Sequence, residues 1–307
     1  MDIVVSSISL GILWSVMAIG VYLTFRILDI ADMTAEGSFP LGAAITAHQI
    51  VNGTNPIVAT LLGFLGGCAA GFVSGFLHTK LKIPALLTGI LTLTGLYSVN
   101  LFVMGKANVS LIGDVKTVLT LMPISDQTIA AIVIGAIVLV VVIALLVFFF
   151  NTEMGLAARA VGDNEQMSLA NGISTDNMKM VVYMISNGLI ALSGSLMTQI
   201  NGYADSSMGI GTLVIALAAI IIAEVIIHNV SFGVRLITIV GGAIIYRFII
   251  AIVLWLGVDP NSLRLFYSLM LALFLSLPLL RQLIKQRERR HQNRLANLDR
   301  EEDQTND

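Results

Sequence analysis

Long apolar runs separated by short polar stretches organise the chain. The runs cover approximately 3–25, 38–51, 56–78, 84–104, 126–150, 179–200, 210–228, 234–256 and 264–280. They predict an all-α polytopic membrane protein of about nine transmembrane helices with broken or re-entrant segments. A helix needs about 20 apolar residues to cross a hydrocarbon core of roughly 30 Å, so most runs suffice, while 38–51 is short and needs a break or neighbouring helices to complete it. The largest interruption is Asn151 to Ile173, a polar island between two long apolar segments. Asp163 followed three residues later by Gln166 has the form of a capping box, which predicts a short helix starting there, and Asn171-Gly172 supplies its stop.

Composition sharpens this picture. Hydrophobic residues make up 56% and charged residues 12% of 307 positions, with mean hydropathy +0.90. Soluble chains carry about a quarter charged residues, so a soluble domain is excluded. The single cysteine, Cys68, excludes an internal disulfide and a multi-cysteine metal site. No cleavable signal peptide is expected, because the first run begins at Ile3 without a basic segment before it. The distribution of Lys and Arg carries more than the net charge of -2. A cytoplasmic C-terminus puts Arg26, Lys80, Lys82, Arg159, Lys179, Arg235 and the tail from Arg281 inside, and leaves Lys106, Lys116 and Arg264 outside. With nine crossings the N-terminus is then outside and the 151–173 island cytoplasmic. The membrane domain is expected over 1–280, and 281–307 as a charged cytoplasmic tail whose basic half lies on anionic lipid.

Several segments carry candidate chemistry. Between the first two helices, 28–40 holds Asp29, Asp32 and Glu36 beside Thr34 and Ser38. Acids at membrane depth cost about 2.5–3.5 kcal/mol on insertion scales. Two readings are open: a loop of solvated carboxylates, or an unwound segment lining a solute path, with Gly37 and Pro40 as breakers and a half-helix starting near Thr34. Gly63, Gly67, Gly71 and Gly75 recur every four residues and predict a close-packing seam. Thr88, Thr92 and Thr94 either line a polar path or bond back to their own helix. Residues 105–125 form an outer segment suited to an external partner. Gln199, Asn201 and Asp205 fall in a polar, glycine-rich break at the outer side. Glu224 and His228 are one turn apart and suit an interfacial pair. Arg247 either snorkels, faces Asp205 or Asp259, or meets a substrate carboxylate. The Asn-x-Ser/Thr triplets at Asn52, Asn108 and Asn229 are chance-level matches.

There is no phosphate-cradling glycine loop ending in Lys-Ser/Thr, no H-E-x-x-H and no G-x-S-x-G. Leu192-Ser193-Gly194 lies inside a spanning run and is no ATPase signature. The chain therefore hydrolyses no ATP itself.

Within the polar island, Gly155, Arg159-Ala160, Gly162-Asp163-Asn164-Glu165 and Gly172-Ile173 resemble the cytoplasmic coupling loop of ATP-binding-cassette importer permeases of the branched-chain amino acid and ribose group. The Ile83-Pro84-Ala85 opening with its Thr-rich helix and the Asp29 stretch are similar to the same group. The resemblance extends over nearly the whole length and is strongest to the single-permease branch linked to tryptophan and other aromatic amino acids. It implies a type II importer-like fold and a homodimer. It also implies an external substrate-binding protein and a separate ATPase dimer that binds ATP and Mg, the chain itself needing no cofactor. Residues 155–172 would dock on the ATPase through Gly155, Arg159, Asp163, Asn164, Glu165 and Gly172. The translocation path would draw on Asp29, Asp32, Thr34, Glu36, Ser38, Thr88, Thr92, Gln199, Asn201, Asp205 and Arg247. Relative to ribose-type permeases the chain lacks an extra N-terminal helix. The residues alone leave open an ion-coupled transporter using Asp29, Asp32 or Glu224, and a non-transporting membrane scaffold.

Overall fold

The computed structural model describes residues 2–111, 113, 115–122, 126–227, 230–259, 265–266, 268–273 and 276. Ten α-helices appear in chain order among them: α1 Asp2–Tyr22, α2 Ala35–Val51, α3 Pro56–Thr79, α4 Ala85–Met104, α5 Gln127–Phe150, α6 Glu153–Asp163, α7 Glu165–Ala170, α8 Thr175–Asn201, α9 Thr212–Ile226 and α10 Phe232–Trp255. A π-helical turn, Leu23–Ile27, extends α1. Two three-residue strands, β1 Asn108–Ser110 and β2 Tyr203–Asp205, pair antiparallel with Val109 opposite Ala204.

Six helices are long and apolar enough to cross a membrane: Val4–Ile27, Pro56–Thr79, Ala85–Met104, Gln127–Phe150, Thr175–Asn201 and Phe232–Trp255. The sequence runs at 38–51 and 210–228 become α2, of 17 residues, and α9, of 15. Both are shorter than a full crossing at 1.5 Å per residue. The ninth run and the tail 281–307 lie wholly or largely outside the described residues, as do His228, Asn229 and Arg264.

The core is built on α8, whose most apolar window is 72% buried, and α1, at 67%, whereas α4 and α5 reach only 28%. The glycine ladder explains how α3 comes so close to α8. A side chain at Gly67 would collide with the Asn187 carbonyl and Ala191, one at Gly71 with the Tyr183 carbonyl, and one at Gly63 with Ser195. Gly75 lies against Met180 and Tyr183. Without a Cβ the two backbones meet along four turns, so dispersion contacts and hydrogen bonds replace the hydrophobic drive that lipid does not supply.

Small polar side chains complete this core. Ser186 donates to the Gly20 carbonyl at 2.7 Å and Ser193 to Leu13 at 2.8 Å, joining α8 to α1. Ser195 donates to Gly42 at 3.1 Å, joining α8 to α2. Pro40 and Gly37 do not break the chain; both are buried inside α2, which starts at Ala35 beside the expected Thr34. A proline this early in a helix leaves most of the hydrogen-bond ladder intact.

Candidate functional site

At one end of the bundle the polar island forms two helices rather than the single one expected. Thr152 caps α6 through Oγ1, which accepts from Gly155 N at 3.4 Å. Asn164, in an extended conformation, caps α7 by accepting from Met167 N at 2.9 Å. Asp163 is consequently the last residue of α6 and caps nothing among the described residues, which corrects the capping-box reading. The box failed because Asn164, also a strong capping residue, sits one position later and breaks the helix there. Gly172, with φ +78°, ends the second helix at the expected place.

Three contacts fasten α6 to the membrane helices. Gly155 lies on the backbone of Phe149 and Phe150, and Gly162 lies directly on the Ile27 carbonyl, where any side chain would collide. Arg159 places its guanidinium 4.4 Å from the Phe232 ring centroid and 5.4 Å from that of Phe150. Its Nε is buried without a hydrogen-bond partner among the described residues. Arg159 is thus an internal cation–π link between α6, α5 and α10, whereas the sequence suggested an exposed docking charge. Ala158 and Val161 are buried on the same face.

The opposite face is open. Met154, Leu156, Met167 and Leu169 are 47–65% exposed, although they flank exposed Asp163, Asn164 and Glu165. Sequence reading passed over these four, because apolar residues spaced three apart look like an inward-facing stripe. Glu165 accepts from Lys179 Nζ at 2.6 Å, and that contact holds its carboxyl below the usual glutamate range. Asp176 pairs with Lys82 at 2.9 Å and Lys80 at 3.7 Å. Arg26 makes a two-pronged pair with Glu224, with Nε to Oε1 at 2.8 Å. Glu224 is therefore satisfied from the first helix, not by its neighbour one turn on.

Above this end, the 28–40 segment is an interlocked turn. Asp29 is exposed and adopts φ +54°. Asp32 is 4% exposed. It accepts from Thr34 N at 2.9 Å and Asn187 Nδ2 at 2.8 Å, while Ser38 donates to Asn187 Oδ1 at 2.7 Å. The Thr34 and Ser74 hydroxyls are 2.8 Å apart. These side chains bind α2, α3 and α8 together inside the chain; they are not solvated carboxylates. Glu36 accepts from Gly211 N at 3.0 Å, just before α9, where the helix N-terminus favours negative charge.

Thr92 and Thr94 donate to the carbonyls of Thr88 and Ile90 at 2.9 and 2.8 Å. Thr88 and Thr92 are buried. On the other side of α4, Thr94, Tyr97 and Ser98 are exposed in the single chain. Their spacing of three to four residues puts them on one face of the helix, a signal the sequence held and reading for buried threonines overlooked.

The far end carries the β1–β2 ribbon. Gln199 is buried and joins three segments: it donates to Thr60 Oγ1 at 2.7 Å and accepts from Val118 N at 3.0 Å. Asn201 ends α8 in an exposed position. Asp205 accepts from Asn108 Nδ2 at 3.1 Å and from Ser207 N at 2.7 Å. Partial burial pushes its carboxyl up, but these hydrogen bonds outweigh it and leave the group below the usual aspartate range. Arg247 belongs to neither end group: it lies between α1 and α10, its guanidinium 4.8 Å from the Trp14 ring centroid. Among the described residues no three His, Cys, Asp or Glu side chains gather as metal ligands.

Residues 3–277 match the family model described as the branched-chain amino acid transport system, permease component. The chain is 41% identical over 273 residues to a tyrosine transport system permease protein of Clostridioides difficile, covering 89% of this chain and 90% of that one. It is 32% identical over 280 residues to an uncharacterised protein of Rickettsia prowazekii, covering 90% and 98%. An autoinducer 2 import system permease of Photorhabdus luminescens is 29% identical over 225 residues, 73% of this chain and 65% of the relative. No solved structure matches significantly.

Proposed function

The chain belongs to the branched-chain amino acid transport permease family, a multi-pass membrane transport subunit rather than an enzyme, and from that premise we propose that it imports an aromatic amino acid such as tyrosine. The substrate class rests on the tyrosine permease of Clostridioides difficile, whose whole length nearly coincides with this chain. In this reading a separate ATPase dimer binds ATP and Mg at the α6–α7 end, and an external binding protein delivers solute to the β1–β2 end. The α6–α7 end is cytoplasmic, the N-terminus is outside and the tail 281–307 is cytoplasmic.

The observation that carries the proposal is the double-sided character of α6 and α7. Glycine contacts and the Arg159 link hold one face against three membrane elements, and the other exposes Met154, Leu156, Met167 and Leu169. Such a module transmits a push from a docked partner without absorbing it. Exposed apolar side chains beside charges suit a protein groove, where aromatic and methionine-type anchors supply most of the binding energy.

A second copy pairs through α4. Thr94, Tyr97 and Ser98 face outward from a membrane helix, where polar groups need water or a partner. Two such faces across a dimer axis form the wall of a solute path. Residues Asp32, Thr34, Ser38, Thr88, Thr92 and Gln199 then shape the path from behind, by fixing α2, α4 and α8, while Asp29, Glu36, Asn201 and Asp205 stand at its two ends.

The test is tyrosine uptake by proteoliposomes holding this chain with its ATPase and binding protein. Uptake should require ATP and survive a protonophore and a sodium ionophore. Uptake abolished by ionophore with ATP present would favour the ion-coupled reading instead. Replacing Met154, Leu156, Met167 and Leu169 together by serine should abolish co-purification of the ATPase and leave the permease in the membrane; unchanged co-purification would remove the docking assignment.

A further inference from the structure

A cavity of about 510 Å³ opens between the first turns of α1 and the last turns of α10, lined by Ser6, Ser7, Leu10, Arg247, Ile250, Ala251, Leu254 and Trp255. We propose that it is a binding site for a membrane phospholipid, with the phosphate diester on Arg247 and an acyl chain along the apolar wall. Depth is the first argument. Arg247 lies eight residues before the end of α10, about 12 Å along the axis. Its long side chain can reach the boundary between headgroups and hydrocarbon. Trp255, 74% exposed at the helix end, marks that boundary, where amphipathic indole rings collect.

Chemistry supplies the second argument. Arg247 sits over the face of Trp14, which in turn stacks on Phe39 with centroids 5.3 Å apart. A cation–π contact fixes the guanidinium yet consumes none of its N–H donors. A guanidinium held in this way presents a planar fork suited to phosphate oxygens. The Ser6 and Ser7 hydroxyls stand on the same side of the cavity as its polar lining, while Leu10, Ile250 and Leu254 give the apolar wall a chain requires. Exposure of Leu254 and Trp255 opens the cavity sideways to the bilayer, from which a lipid enters and an amino acid does not.

Comparison with Arg159 strengthens the case. That cation is closed between two rings, Phe150 and Phe232. Arg247 has a ring on one side and a cavity on the other.

The test uses the purified full chain in detergent, read by native mass spectrometry after stepwise delipidation and by thermal unfolding with added phosphatidylglycerol. Wild type should retain about one lipid per chain at the last step and unfold at higher temperature with phosphatidylglycerol. Arg247→Gln should lose at least fivefold in retention and lose the lipid-induced shift. Ser6→Phe, which fills the cavity from an exposed position and leaves Arg247 in place, should do the same, so misfolding of one variant does not decide the matter. Equal retention by Ser6→Phe and wild type would overturn the proposal. So would stabilisation by inorganic phosphate or tyrosine that matches phosphatidylglycerol, since either would make the cavity a site for a soluble anion.

Discussion

The two ends of this permease are built on opposite principles. At the α6–α7 end, shape does the fastening: glycines lie on backbone at Ile27 and Phe149, and an arginine is clamped between rings. At the β1–β2 end, individual hydrogen bonds do it, through Gln199, Asn108 and Asp205. Close backbone contact leaves no room for adjustment, because packed interfaces hold discrete arrangements and do not deform continuously. Hydrogen bonds at an exposed rim exchange readily with water and are individually worth about 0.5–1.5 kcal/mol. The first end suits transmission of force and the second suits repeated capture and release of a partner.

The sharpest break of this contrast is Gly162→Leu. A side chain placed on the Ile27 carbonyl must push α6 off its seat; overpacking of this kind costs about 1–3 kcal/mol or more. ATP-driven uptake should fall more than tenfold and protease cleavage within 151–173 should rise. Wild-type values in both assays would mean that the seat is soft.

Arg159→Ala should come next. Loss of a partly desolvated cation–π pair costs about 1–2 kcal/mol, and the predicted signature is uncoupling: ATPase still co-purifies, but its stimulation by loaded binding protein drops severalfold. Loss of co-purification with intact coupling would return Arg159 to a docking role.

At the other end, Asp205→Ala should loosen only its own neighbourhood. Hydrogen exchange at 203–207 should quicken by up to about tenfold, in line with about 1 kcal/mol of local stability, while ATPase co-purification stays unchanged. A change in ATPase binding would show that the two ends are not separable in this way.

The smallest effect is expected of the Glu165–Lys179 pair. Its carboxyl lies below the usual glutamate range, so its contribution is complete above the unfolded-state value and disappears as pH falls through the lower folded-state value. The pair is largely exposed and worth about 0.2–1 kcal/mol. Protease resistance of the α7 segment should therefore decline slightly only in acid, and Glu165→Gln should remove that dependence. A decline starting near neutral pH would point to a different group.

The sequence by itself determined the membrane class, the position of the polar module between two spans, its Asn171-Gly172 stop and the existence of a glycine seam. Each follows from composition or spacing over a short window, where local physics decides: apolar length against bilayer thickness, and small residues on one helical face. Only the tertiary structure decided that the seam meets α8, that Arg159 turns inward to Phe232, that Glu224 answers to Arg26, and that Asp32 is locked by Asn187. Those pairings join residues between 73 and 198 positions apart. No local pattern encodes such a partner, because in a lipid environment each polar group takes whichever partner the helix packing brings within reach.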